Sequence, residues 1–219
     1  GPLGAGGGWS DSYTAHQSEV WPVPEDLNDD QASLIEPMAV AVHGVLRRLP
    51  GPGDRVLILG AGIIGLLTLQ AVKALAPQAH VTVLVRYAHQ GQAAKRLGAD
   101  EVMSDRGDIY AKSAEITGAK YYRGQLNRGM LLGGYDILYD CVGDRYTLRD
   151  SLRLARAGGA VVLVGISLNP LSLDTSPVWF QEVDLVGAKT FGMETLNGRT
   201  QHTFDLVIEM LQQGALSAS

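Results

Sequence analysis

The sequence has little of what would indicate a secreted, membrane-bound or nucleic-acid-binding protein. It contains one cysteine, Cys141, in 219 residues, so no disulfide can form within the chain, which suits a reducing compartment such as the cytoplasm. It has no run of five or more basic residues, and its net charge of −5 argues against a nucleic-acid partner. The longest apolar region, 56–72, contains three glycines and Gln70, which predicts a strand, a turn and a helix instead of a membrane span. With no recognisable signal peptide, we expect a cytoplasmic protein without a membrane partner.

The beginning of the chain carries weaker signals. Residues 1–4 resemble the remnant of a cleaved affinity tag and indicate no function. Residues 1–25 are mixed and rich in turn formers, which predicts either the tail of a preceding domain or a tag with a linker. Residues 26–216 are predicted to form the main domain.

The most informative stretch is an apolar strand that runs directly into a glycine motif and an amphipathic helix. Residues 60–65 match G-x-G-x-x-G in the strand-to-helix context that a dinucleotide-binding motif requires. Gly60 permits a tight turn, Gly62 permits close approach of a pyrophosphate, and Gly65 permits the helix to pack on the strand. The first amides of the helix then remain free to bind the anion. The alternative is a glycine turn that binds nothing.

Apolar strands and helices alternate through the rest of the chain. This pattern predicts an α/β fold with a doubly wound parallel sheet, covered on both faces and ordered 3-2-1-4-5-6. After the first strand, the predicted strands are 81–85, 101–103, 135–140, 160–164 and 184–187. The predicted helices are the one that follows Gly65 and those at 90–97, 108–117, 147–155 and 201–213. Residues 117–134, which include Lys120, Arg123 and Arg128, are predicted to form a surface hairpin, with a functional lid as the alternative.

Two helices are predicted before the first strand. Asn28 can cap a short helix, with Gln31 in the capping-box position. Pro37 suits the first turn of a second helix that ends near Leu49. Glu36 is then expected at a helix boundary, because the residue before a proline is disfavoured in the α region.

Two enzyme classes that use such a sheet are disfavoured by missing residues. Short-chain dehydrogenases need a tyrosine followed four residues later by a lysine that lowers its pKa, and none of the eight tyrosines has that lysine. A methyltransferase needs a carboxylate at the end of the second strand, where this chain has Val85 and Arg86.

The order and spacing of the remaining motifs resemble the cofactor domain of the medium-chain, zinc-type alcohol dehydrogenase superfamily. The resemblance is to its polyol and threonine dehydrogenase branch, and it covers the chain from about Gly6. The matching stretches are Leu34-Ile35-Glu36-Pro37 before a helix with His43, the glycine motif, Leu97-Gly98-Ala99-Asp100, Asp140-Cys141-Val142-Gly143, 158–165 and Phe191-Gly192. The resemblance implies a Rossmann fold and hydride transfer between NAD(P) and a secondary alcohol, a polyol or a hydroxy-amino acid.

The resemblance also implies what is missing. In this superfamily a GroES-like catalytic domain precedes the cofactor domain and supplies Cys and His-Glu ligands to a catalytic zinc. This chain lacks those motifs, and the spacing of its five histidines offers no substitute. The sequence is therefore interpreted as a cofactor-domain fragment, inactive alone, with residues 1–25 as the tail of the GroES-like domain. The intact enzyme is expected to be a homo-oligomer that acts on a small alcohol, and no catalytic residue is assigned here.

The resemblance assigns roles to several residues of this chain. Those expected to hold the pyrophosphate are Gly60, Gly62, Ile63, Ile64 and Gly65. Those expected to border the cofactor are Cys141, Val142 and Gly143, and those expected to meet the nicotinamide carboxamide through backbone groups are Val164, Gly165 and Phe191. Glu36 is expected at the zinc, as a ligand or through its water, the alternative being a role at a helix N-terminus. Cys141 is interpreted as a packing residue, not a nucleophile.

The choice of cofactor depends on Arg86. NAD-specific folds place a carboxylate about 20 residues after the glycines, where it binds the ribose 2′-hydroxyl. No Asp or Glu lies between Asp54 and Asp100, and the expected position has Arg86, which could pair with a 2′-phosphate. The sequence thus favours NADP(H), and NAD stays usable if Arg86 stacks on the adenine or faces solvent. A non-catalytic NAD(P)-binding sensor or interaction module remains the alternative function.

Overall fold

The computed structural model describes residues 11–12, 14–124 and 129–218. A 3-10 turn, Gln17–Glu19, precedes the regular elements. The helices are α1 (Asp29–Arg47), α2 (Ile63–Leu75), α3 (Ala88–Arg96), α4 (Ile109–Thr117), α5 (Arg145–Leu154), α6 (Ser176–Phe180) and α7 (Thr203–Gln212). The strands are β1 (Arg55–Leu59), β2 (His80–Val85), β3 (Glu101–Ser104), β4 (Lys120–Tyr122), β5 (Met130–Leu132), β6 (Tyr135–Asp140), β7 (Ala155–Leu163), β8 (Asp184–Gly187), β9 (Met193–Leu196) and β10 (Arg199–His202).

Six strands form one parallel sheet in the order β3-β2-β1-β6-β7-β8. Numbered within that sheet, this is the predicted order 3-2-1-4-5-6, so the doubly wound α/β fold is confirmed. The direction of winding reverses between β1 and β6, and ligands of such folds bind at the carboxyl ends of the strands at this point.

Both faces of the sheet are buried, as continuous apolar strands predict. On β1, Val56 and Ile58 belong to the core that includes α1, α2 and α7. Leu57 and Leu59 point to the opposite face, where they pack in a second core with α5. The alternation of side chains along each strand therefore divides one apolar run between two cores.

The prediction of two helices before β1 was wrong, because α1 is a single helix with Pro37 inside it. Its start is as predicted, with Asn28 and Gln31 forming a capping box. Glu36 therefore lies in the helix interior and not at a boundary. The helix continues because its apolar stripe packs against the core, and this burial outweighs the local restriction that Pro37 imposes. The buried residues of α1 include Ile35, Met38, Ala39, Val42 and Val45.

Several other boundaries differ from the predictions. The fifth strand of the sheet, β7, begins at Ala155 directly after α5, with a register irregularity opposite residues 135–137, and not at residue 160. The last helix begins at Thr203, because residues 199–202 pair with β9 in an antiparallel hairpin that the sequence did not predict. The short helix α6 was also missed. Tertiary contacts determine the secondary structure of these segments, because each is too short for its apolar residues to show a clear helical or strand period.

The segment 117–134 contains a hairpin, as predicted, in which β4 pairs with β5 in antiparallel register. Its tip, 125–128, with Arg128, lies outside the described residues. Among the helices that the structure describes, none combines the length and apolarity needed to span a bilayer.

Candidate functional site

A cleft of about 360 Å³ opens at the carboxyl end of the sheet, beside the point where the winding reverses. The ends of β1, β2 and β6 and the start of α5 form its walls. The lining residues include Gly60, Gly62, Arg86, Asp105, Cys141 and Val142. The structure therefore brings together residues from the glycine motif, from the end of the second strand and from the Asp140–Gly143 turn.

The three motif glycines are required for three different physical reasons. Gly60 adopts a φ of +95°, in the left-handed region that disfavours other residues. A Cβ on Gly65 would lie 1.9 Å from the carbonyl oxygen of Gly60, so α2 can approach β1 only because this side chain is missing. A Cβ on Gly62 would meet nothing within 4 Å, because Gly62 faces open space. That space is a cradle that a side chain would fill.

The N-terminus of α2 faces the same open space. Gly62 is its N-cap residue, and among the described residues no side-chain hydrogen bond caps the helix. The amides of the first turn, which Ile63 and Ile64 begin, are therefore available to an anion, whose negative charge the helix dipole favours. This arrangement fits the pyrophosphate of a dinucleotide.

Asp140 holds the turns that follow β6 and β7. Its Oδ1 accepts hydrogen bonds from the amides of Val142 (3.0 Å) and Gly143 (2.9 Å). Its main-chain carbonyl accepts from the amides of Val164 (3.0 Å) and Gly165 (2.8 Å). Burial raises the pKa of this carboxyl, and Oδ2 is buried without a hydrogen-bond partner among the described residues. One residue thus orders both turns that were predicted to border the cofactor.

These two turns touch through their backbones. A Cβ on Gly143 would lie 2.5 Å from the carbonyl carbon of Gly165, and a Cβ on Gly165 would lie 2.4 Å from the carbonyl carbon of Val142. Gly143 also adopts a φ of +79°. Only glycine fits either position, which explains the residue type at both.

Cys141 lines the cleft, and its side chain packs against α2. Its Sγ lies 3.6 Å from Oγ1 of Thr68 on α2. Burial raises the pKa of this thiol to about 12, so it stays protonated near neutral pH. The geometry therefore agrees with a packing residue and not with a nucleophile.

Arg86 lies exposed at the rim of the cleft, at the end of β2. Its Nε donates to Oδ2 of Asp105 at 2.8 Å, and this hydrogen bond raises the pKa of the guanidinium. Among the described residues, no other side chain binds its two Nη groups. Arg86 therefore presents a fixed positive charge, but Asp105 places a carboxylate beside it that the sequence did not reveal.

Phe191 lies at a different part of the edge, in an aromatic cluster. Its ring is 4.4 Å from that of Phe204 and 5.8 Å from that of His202, and Trp21 stacks on His202 at 4.5 Å. Next to it, the amide of Gly192 donates to Oγ1 of Thr203 at 2.9 Å. The segment at Phe191 is therefore held by side chains that come from α7 and from the N-terminal region.

Glu36 does not line the cleft. It is exposed on α1, seven residues before His43. This spacing is two turns, or roughly 10 Å, toward the N-terminus of the helix. Among the residues that the structure describes, no group of three or more His, Cys, Asp or Glu is placed to hold a metal ion. The described chain does not form a metal centre by itself.

The sequence did not reveal the contacts of four polar residues in the site region: Asp105, Asp140, His43 and Glu194. Asp140 could have been suspected, because a carboxylate at the end of a buried strand needs partners. Asp105 and the pair of His43 with Glu194 have no local signal, because their partners are distant in the sequence.

Comparison with known proteins places the chain among dehydrogenases. A sequence model described as zinc-binding dehydrogenase matches residues 64–213. L-idonate 5-dehydrogenase of Vitis vinifera is 32% identical over 94% of this chain and 51% of its own length. The crystal structure of 2R,3R-butanediol dehydrogenase from Bacillus subtilis has a TM-score of 0.71 and 25% identity, over 90% of this chain and 50% of its own. The crystal structure of a putative zinc-binding dehydrogenase from Sinorhizobium meliloti 1021, bound to NADP, has a TM-score of 0.69 and 26% identity. The match covers 90% of this chain and 52% of that one. The chain spans about half the length of the curated relatives it matches.

The motif glycines provide a matched pair of substitutions. Gly65→Ala should destabilise the fold by about 3 kcal/mol, because its Cβ would overlap the carbonyl of Gly60. Gly62→Ala should cost less than about 1 kcal/mol, since its Cβ meets no atom, but should weaken dinucleotide binding by about ten-fold. Urea unfolding and a dinucleotide titration measure the two effects. Equal stability of both variants would contradict this assignment of roles.

The cysteine allows a clean test of the packing role, because it is the only thiol in the chain. With its pKa raised to about 12, less than about a thousandth of the thiol is ionised at pH 8. Reaction with a disulfide reagent should therefore be at least about 100-fold slower in the native protein than in urea. It should accelerate as the pH rises toward 12 while the fold persists. A rapid native reaction at pH 8 would argue for a reactive cysteine.

Proposed function

The chain belongs to the zinc-binding dehydrogenase family, and we propose that it is the cofactor-binding part of an NAD(P)-dependent oxidoreductase of alcohols. The proposed substrate is a secondary alcohol, a polyol or a hydroxy-amino acid. The names of the relatives, which include idonate, sorbitol and butanediol dehydrogenases, support a polyol-type substrate. The missing half of the enzyme would be a GroES-like catalytic domain, with residues 1–25 as its tail or a linker and 26–216 as the cofactor domain.

The observation that carries this proposal is the cradle at Gly62, where open space meets the uncapped N-terminus of α2. Amides with no side-chain competitor and room for a phosphate are what a pyrophosphate needs. A bound nicotinamide cofactor would supply the hydride acceptor or donor. The protein would supply the binding, orientation and exclusion of water.

Different residues of the chain would bind the two ends of the cofactor. The glycine motif would bind the pyrophosphate, and Cys141, Val142 and Gly143 would border it. Main-chain groups at Val164, Gly165 and Phe191 would bind the carboxamide and so select the face of the nicotinamide ring that meets the substrate. The close contact between Gly143 and Gly165 supports this arrangement, because it fixes one wall relative to the other.

Arg86 supports NADP(H) as the preferred cofactor. Its Nε is held by Asp105, which orients the guanidinium at the rim and leaves both Nη groups for a phosphate. No carboxylate occupies the end of β2, where NAD-specific folds have one. The carboxylate of Asp105 comes from the neighbouring strand and is already paired with Arg86.

Glu36 is proposed to lie at the zinc of the intact enzyme, either as a ligand or beside its water. It is exposed on α1, two turns or roughly 10 Å before His43 on the same helix. The other ligands would come from outside the described residues. A carboxylate that binds a metal or its water must be accessible, and the structure gives Glu36 no partner of its own among the described residues.

A second copy of the chain is proposed as a partner in the intact enzyme. In the described sheet, β8 has a neighbour on one side only, so its other edge is free to pair. Large apolar side chains on β8 and in the 20 residues before it are exposed, including Leu185, Trp179, Phe180 and Leu168. Exposed apolar side chains together with a free sheet edge are typical of an interface.

The proposal predicts that the chain binds NADPH or NADH but turns over no alcohol, because the described residues include no cluster of metal-ligating side chains. Cofactor fluorescence measures binding, with Gly62→Asp as the non-binding control. Absence of binding by the folded chain would contradict the proposal. Turnover above the Gly62→Asp background would show that the chain holds the complete catalytic site.

Arg86→Ala should weaken NADPH binding by about 10- to 100-fold and leave NADH binding nearly unchanged, since it removes charge-assisted hydrogen bonds to the 2′-phosphate. Titrations with both cofactors measure the difference. Arg96→Ala, an exposed arginine on α3, is the control for a general loss of positive charge. Equal affinities for the two cofactors, unaffected by Arg86→Ala, would refute the preference for NADP(H).

Glu36→Ala in the full-length enzyme should lower activity by about 10- to 100-fold, as the loss of a group beside a metal typically does, with cofactor affinity unchanged. Steady-state kinetics and a metal assay measure the effect. Ser33→Ala, one turn earlier on the exposed part of α1, is the matched control. If Glu36→Ala lowered only the melting temperature, the carboxylate would have a structural role in α1.

A further inference from the structure

A buried pair of ionisable side chains joins α1 to the hairpin β9–β10. Nδ1 of His43 lies 2.5 Å from Oε1 of Glu194, across 151 positions of sequence. The two side chains are 15% and 9% exposed. Removing a carboxyl from water is unfavourable unless it is well hydrogen-bonded, so this contact requires an explanation.

Thr203 extends the pair into a network. Its Oγ1 lies 3.0 Å from Oε1 of Glu194 and 2.9 Å from the carbonyl oxygen of Gly192, and its proton can serve either acceptor. The same Oγ1 accepts from the amide of Gly192, and the amide of Thr203 donates to the carbonyl of Gly192 at 2.8 Å. Both ends of the 192–194 segment are therefore tied to α7, and Glu194 is tied to α1 as well.

This network adjoins both segments that are proposed to meet the nicotinamide. Phe191 immediately precedes Gly192. On the other side, Gly44 follows His43, and a Cβ built on Gly44 would lie 3.0 Å from Cγ2 of Val164. The turn of α1 that carries His43 thus touches the segment at Val164, while Glu194 fixes the segment at Phe191.

Pairing with the central sheet does not set the position of the 191–194 segment, which depends on these side chains and on the main-chain hydrogen bond between Thr203 and Gly192. Strands β9 and β10 form a two-stranded sheet separate from the central one. By contrast, the segment at Val164 follows β7 directly and inherits its position from the central sheet.

We propose that His43, Glu194 and Thr203 form a positioning network that sets the 191–194 segment against Val164 and thereby aligns the nicotinamide half of the cofactor. The inference rests on the proposed function. It assigns these residues no part in binding the adenosine half, which lies at the cleft formed by Gly62 and Arg86. None of the three is proposed to touch the reacting atoms.

The test separates the two halves of the cofactor. Affinities for NADPH and for 2′-phospho-ADP-ribose, which lacks nicotinamide, are measured for the full chain and for Glu194→Gln, His43→Leu and the double variant. The emission of bound NADPH reports the surroundings of the nicotinamide ring. Glu209→Gln is the matched control, because this carboxylate lies on α7, like Thr203, but bonds Arg199 and Gln201 of the hairpin instead of Glu194 or His43.

Each single variant should weaken NADPH binding about five-fold, about the effect of one lost hydrogen bond, and shift the emission toward that of free NADPH. Binding of 2′-phospho-ADP-ribose should change less than two-fold, and the double variant should be no worse than the singles. The control should change neither. If Glu194→Gln does not fold, Thr203→Val, which removes only the hydroxyl, provides the same comparison.

Two results would overturn the inference. One is an equal loss of affinity for both ligands, which indicates a purely structural pair. The other is unchanged NADPH binding and emission in folded variants. Failure of the unsubstituted chain to bind 2′-phospho-ADP-ribose, NADPH and NADH would instead contradict the proposed function.

Discussion

The site depends on direct contact between main chains at the carboxyl ends of three strands. The turn after β1 meets α2 where Gly65 lies against the carbonyl of Gly60, and the turns after β6 and β7 meet where Gly143 lies against Gly165. At Gly65, Gly143 and Gly165 a Cβ would overlap backbone atoms, which cannot move away as a flexible side chain can. The cleft exists because these contacts bring the strand ends close together while Gly62 remains open.

The charges around these main-chain contacts favour an anionic ligand. In the interior, burial raises the pKa of Asp140 and raises the pKa of the Cys141 thiol to about 12, so the thiol is protonated near neutral pH. The rim holds Arg86, whose charge Asp105 stabilises and orients. An anionic ligand would therefore meet free amides and a positive rim, with no thiolate in the cleft to repel it. This arrangement explains how a chain with a net charge of −5 can present a site for a polyanion.

The two ends of the proposed cofactor site are built in different ways. Main-chain geometry shapes the pyrophosphate end, where glycines and helix amides act without side chains. Side chains hold the segment at Phe191, through the aromatic cluster and the contacts of Glu194 with His43 and Thr203. Gly60 and Gly65 leave no room for another residue or disfavour it by their backbone conformation, whereas a side-chain network can be adjusted one residue at a time. The nicotinamide end is thus the part of this fold that sequence change can tune.

The sequence by itself determined the features that have a local pattern. The strand, glycine motif and helix at 55–75, the order of the parallel sheet and the hairpin at 117–134 followed from apolar periodicity and from glycine positions, which act over short distances. Only the tertiary structure decided the rest. It carried α1 through Pro37, because burial of one helix face outweighed a local restriction, and it moved Glu36 from a boundary into the helix. It also paired Arg86 with Asp105 and His43 with Glu194, because such partners meet only when the strands and helices that carry them are packed together.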